Sequence, residues 1–98
     1  MKLRELADLL QVGLKGPEDY EIRGVRDIEI LSPEQALAEN FIYFIESPAV
    51  LKRHPKAADS GAILTTAALA DKFPRALIAP ERGARTVFIA LLQRFDKT

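Results

Sequence analysis

Side chains able to do acid–base or nucleophilic chemistry are scarce in this sequence, and their spacing narrows the options further. His54 is the only histidine, and there is no cysteine. Disulfides, thiol nucleophiles and Cys-based metal sites are therefore excluded. A lone imidazole also falls short of the three or four ligands that a zinc site takes. His54 sits between Arg53 and Pro55, where it is expected to be a solvent-exposed residue at a helix end. No neighbour is nominated to orient it as a general base. The GxxxxGK[ST] and GxGxxG loops that cradle phosphates are missing. Two anion-binding candidates remain. One is the basic run Lys52-Arg53-His54-Pro55-Lys56, and the other is Gly83-Ala84, whose helix-start amides could face an anion. Their simpler readings are a solvated helix face and a plain turn. The aromatic residues Phe41, Tyr43 and Phe44 are read as core, or as a stacking surface for a nucleobase where a strand ends.

Those residues have to be held by something, and the apolar pattern says what. Leu3, Leu6, Ala7 and Leu10 recur at helical spacing. Tyr20-Glu21-Ile22-Arg23 alternates like a strand, and Gly24 is expected to mark a bend or bulge after it. Ser32-Pro33-Glu34-Gln35 is a helix start, with Ser32 as cap, Pro33 at the first helical position and Gln35 closing a capping box. The run FIYFI, 41–45, reads as a buried strand. Within it Phe44 shares a face with Ile42, while Phe41 and Tyr43 share the other.

Ser47 then caps a short helix that starts at Pro48, buries Leu51 and ends by Pro55. Gly61 to Leu64 forms a second buried strand. Thr66 caps a brief helix through Lys72, and ALIA, 76–79, is a third buried strand. Val87, Ala90, Leu91 and Phe95 form the buried stripe of a final helix. Strands alternating with short helices predict an α/β fold in one small domain, 1–98, with a mixed sheet of about five strands.

The bulk properties agree. A chain of 98 residues buries about two-thirds of its unfolded surface, enough for one modest core. Its 14 basic and 14 acidic residues give a formal charge of zero. That balance exerts no long-range pull on a phosphate backbone, so nucleic acid is not an expected partner. Arg4, Glu5 and Asp8 interrupt the apolar start, which excludes a signal peptide. No stretch approaches the roughly 20 apolar residues of a spanning helix. The expected location is the cytoplasm.

Residues 44–64, FIESPAVLKRHPKAADSGAIL, resemble a family pattern close to FLxNPKYLxxLxxTxASAVIV, without a gap. Phe44, Pro48, Leu51, Ser60 and Ile63 fall on it. The pattern belongs to the amino-terminal, uridine-binding region of UDP-3-O-acylglucosamine N-acyltransferase, an enzyme of lipid A biosynthesis. The opening MKLRELADLL is similar to that family's first helix, and EIRGV (21–25) to its I-T-G-V segment. ALIAPERGARTVFIALLQRF (76–95) is similar to its strand, proline and final helix. The stretch from Asp27 to Asn40 is a few residues longer than usual. The amino-terminal domains of Mur ligases have a related architecture and are a further possibility, although their ATP-binding loop has no counterpart here.

The resemblance implies a module that binds a UDP-linked glucosamine derivative through Phe44, Ser47, Val50 and Lys52, with no cofactor and no metal. Ser47 stands where the family has Asn and Val50 where it has Tyr. One hydroxyl replaces an amide's donor and acceptor pair, and one aromatic face is lost. The family's acyl transfer, trimer and catalytic histidine reside in a hexapeptide-repeat domain that none of these 98 residues resembles. The chain is thus a fragment or a free-standing relative, noncatalytic by itself and expected to be monomeric. Acyl carrier protein is a partner only if a repeat domain follows. The competing expectation is a family-like module that has lost nucleotide binding and acts in protein–protein interaction or regulation.

Overall fold

Four short strands pair side by side in parallel, three of them apolar runs, and a fifth joins them antiparallel. In a computed structural model of the chain, which describes residues 1–26, 28, 39–54 and 61–95, the elements follow in order. They are α1 (Leu3–Leu10), β1 (Gly13–Lys15), β2 (Gly24–Arg26), β3 (Phe41–Phe44), α2 (Pro48–Arg53), β4 (Ala62–Thr66), α3 (Ala67–Ala70), β5 (Ala76–Ala79) and α4 (Ala84–Phe95). The sheet runs β1-β5-β4-β3-β2. Among the described strands only β1 is antiparallel, pairing Leu14 with Leu77. The central strand β4 is buried at every position, as a parallel strand covered on both faces must be.

Helices cover the two faces, making three layers. One face packs Ile42, Leu64 and Leu77 against Leu3, Leu6 and Ala7 of α1 and Ala84 and Leu91 of α4. The other packs Tyr43, Ile45, Ile63 and Ala76 against Leu69 of α3, with Val50 and Leu51 of α2 alongside. The β3 alternation is as expected: Phe44 lies with Ile42, and Phe41 with Tyr43. The chain is a single compact α/β domain with a five-stranded mixed sheet among the described residues. No helix among them is long and apolar enough to cross a membrane.

Several local expectations are revised. Tyr20–Arg23 is not a sheet strand. Its backbone instead serves the amino terminus: Leu3 N–H donates to Tyr20 O at 2.9 Å and Ile22 N–H to Met1 O at 2.7 Å. Gly24 is neither bend nor bulge but the first residue of β2. A Cβ there would come within 3.0 Å of the Phe41 ring on the neighbouring strand, so glycine permits that close approach. Thr66 precedes α3 without a side-chain capping bond. The helix ends at Ala70 rather than Lys72. In α4 the packed line is Ala84, Val87, Phe88, Leu91 and Phe95, and Ala90 is exposed. The helix expected from Ser32 lies outside the described residues, as do Pro55, Lys56 and Ser60.

Candidate functional site

Parallel strands all point their carboxyl ends at one edge of the sheet, and crevices form there when the following segments diverge. At this edge β3 ends with Phe44, and Ile45 still donates its N–H to Leu64 O at 3.0 Å. Glu46 and Ser47 then leave the sheet. Ser47 starts α2 as expected: its Oγ accepts from the Ala49 N–H at 3.1 Å, with Pro48 behind it in the first turn. Across the gap, the turn after Pro80 closes with Gly83 N–H donating to Pro80 O at 3.0 Å and releases α4. Arg85 lies in the first turn of that helix and Phe88 one turn on.

These segments enclose a cleft of about 320 Å³, at the small end of the range for small-molecule sites. Its apolar lining is Ile28, Phe44, Val50 and Phe88; its polar lining is Glu46, Ser47 and Arg85. The Phe44 and Phe88 rings stack with centroids 4.6 Å apart and planes 13° from parallel. Each ring covers one face of the other, and both rings line the cleft. Arg85 Nη2 donates to Glu46 Oε1 at 3.3 Å. The Ser47 Oγ already accepts the capping bond, which leaves its proton to donate to a ligand acceptor. Such a lining suits a flat, partly apolar molecule that carries hydrogen-bond acceptors and a charged substituent.

Three of the four residues expected at the site, Phe44, Ser47 and Val50, line this one cleft. Lys52 is exposed on α2 and is not among the lining residues. Glu46, Arg85 and Phe88 were not anticipated. The stripe expected for α4 sets Val87 with Ala90, Leu91 and Phe95. A line through 84, 88, 91 and 95 fits the helical period as well and would have turned Phe88, with Arg85 a turn before it, toward the sheet.

His54 also departs from expectation. It is buried, at 5% exposure, as the residue that follows α2 with a non-helical backbone. The His54 backbone donates to Val50 O at 3.1 Å and Leu51 O at 3.2 Å, while its Nδ1 finds no partner among the described residues. It does not line the cleft. Among the described residues no three His, Cys, Asp or Glu side chains converge as a metal site would need. No family model and no curated protein matches the chain.

Proposed function

We propose that this chain is a uridine-nucleotide binding module for a UDP-linked glucosamine derivative. It resembles the amino-terminal domain of UDP-3-O-acylglucosamine N-acyltransferases, works in the cytoplasm in bacterial lipid A and lipopolysaccharide biosynthesis, and is monomeric and noncatalytic by itself. Where a hexapeptide-repeat domain is joined to such a module, that domain moves a 3-hydroxyacyl chain from acyl carrier protein to the glucosamine amine. The observation that carries this reading is the convergence of Phe44, Ser47 and Val50 on one cleft at the carboxyl edge of a parallel sheet. The uracil lies against the Phe44–Phe88 pair, and Ser47 donates to one of its carbonyls.

Binding is weak in this account. A base–aromatic stack contributes about 1–3 kcal/mol and a neutral hydrogen bond about 1 kcal/mol. Having Val50 and Ser47 where the family has Tyr and Asn thus costs roughly 30- to 1,000-fold in affinity. The Ser47→Asn, Val50→Tyr double variant is expected to bind UDP more tightly than the parent in calorimetry, and adding Phe44→Ala to remove most of that gain. An unchanged affinity in the double variant would overturn the reading.

A second reading, an interaction module without nucleotide binding, draws on α4. That helix leaves Ile89 49% and Leu92 37% exposed, and one face of the Phe44 ring is already covered by Phe88. The same calorimetric result separates the two.

A further inference from the structure

The cleft lining includes a charged contact between residues far apart in sequence, Arg85 of α4 and Glu46 after β3. Its geometry is that of a contact readily given up. One guanidinium nitrogen meets one carboxylate oxygen at 3.3 Å, and Arg85 is 77% exposed. Exposed, single-contact ion pairs contribute little to stability. Guanidinium has five N–H donors in a planar fork, and it binds phosphate through two parallel bonds more strongly than it binds one carboxylate oxygen. An anion arriving at the cleft therefore offers Arg85 the better partner.

Glu46 acts in the opposite sense. Its carboxylate lines the same cleft, so it repels any anion that does not engage Arg85. The aromatic floor and the cation are also held together, because Arg85 and Phe88 are i and i+3 on one helix face, where side chains are about 5–6 Å apart at Cβ. A ring stacked beside Phe88 thus carries an acidic substituent, on a short tether, past Arg85.

We propose that the Arg85–Glu46 pair is an exchangeable latch that makes the cleft selective for an aromatic heterocycle bearing a phosphate or diphosphate. Arg85 leaves Glu46 to take the phosphate, and Glu46 sets the threshold that an anion must overcome to enter. The proposal rests on the reading of the cleft as a nucleotide site and adds to it the groups that recognise the phosphate.

Calorimetric titrations with uridine, UDP and inorganic pyrophosphate test it, on the parent chain and on Arg85→Gln and Glu46→Gln, at one fixed ionic strength. Both substitutions are at the surface, and thermal unfolding verifies that each variant is folded. UDP is expected to bind roughly 10-fold or more tightly than uridine, as a charge-assisted pair allows. Arg85→Gln should abolish most of that preference, weakening UDP far more than uridine. Glu46→Gln should tighten UDP several-fold, and far more than uridine. If uridine binds and the UDP preference survives Arg85→Gln, the latch is wrong and the nucleotide reading stands. If uridine fails to bind but pyrophosphate binds in an Arg85-dependent way, Arg85 is an anion site only, and both the nucleotide reading and the selectivity for a heterocycle that rests on it are overturned. If none of the three binds, both are overturned.

Discussion

At the amino-terminal edge of the parallel strands, polar side chains are bonded to the chain's own backbone. Arg75 Nε donates to Gly61 O at 2.6 Å, and its guanidinium lies 5.1 Å over the Tyr20 ring. Lys15 Nζ donates to Ala70 O at 3.1 Å. Asn40, at a left-handed φ of 67°, accepts from Arg23 N–H and donates through Nδ2 to Glu21 O, while its own N–H meets the Tyr20 hydroxyl. The carboxyl edge differs in kind. There Arg85 and Glu46 meet each other and no other charged partner among the described residues, the Ser47 hydroxyl keeps a proton to give, and the aromatic pair lines the cleft. Side chains tied to backbone carbonyls hold the segments together at one edge, and loosely committed groups at the other make a receptive one.

If that contrast is right, substitutions at the first edge should cost stability, and those at the second should cost binding. The largest effect is expected at Gly16. Its φ is +106°, and an added Cβ would stand 2.5 Å from the Pro74 carbonyl oxygen. Gly16→Ala is therefore expected to lose about 2–3 kcal/mol in urea denaturation, with UDP affinity unchanged under conditions where the variant is folded. A variant as stable as the parent would remove the claim that this edge is tightly fixed.

Ser47→Ala should cost less, about 1 kcal/mol, because it deletes the cap on Ala49 N–H. Here the sharper consequence is for the ligand: UDP binding should weaken as well, since the hydroxyl that caps also donates into the cleft. Lost stability with untouched affinity would leave Ser47 a cap and nothing more.

The same contrast explains what could be read from the sequence. β3, β4 and β5 were legible because buried parallel strands are written as short, continuous apolar runs. The start of α2 was legible because Ser47-Pro48 states its chemistry locally. β1 was not, since Gly13-Leu14-Lys15 has a single apolar residue and becomes a strand only by pairing with β5. Tyr20–Arg23 misled for a related reason. Its alternation is real, but the amino terminus rather than the sheet takes its backbone groups.

The cleft divides the same way. Phe44, Ser47 and Val50 are neighbours in sequence, so their convergence needed only the end of one strand and the start of one helix. Arg85 and Phe88 arrive from α4, and Arg85 is 39 residues beyond Glu46. No local pattern announces such a meeting; it follows from the sheet order and from which face of α4 turns inward. His54 shows the converse. A residue flanked by Arg53 and Pro55 reads as exposed, yet it is buried where the chain leaves α2.

The most direct test of the central claim is a titration of the isotope-labelled chain with UDP, following backbone amide shifts by NMR. Binding in the cleft predicts concentration-dependent shifts confined to Phe44–Val50 and Arg85–Phe88, with Gly16, Gly61 and Arg75 at the opposite edge unmoved. Shifts centred on that opposite edge, or none at millimolar UDP, would contradict it.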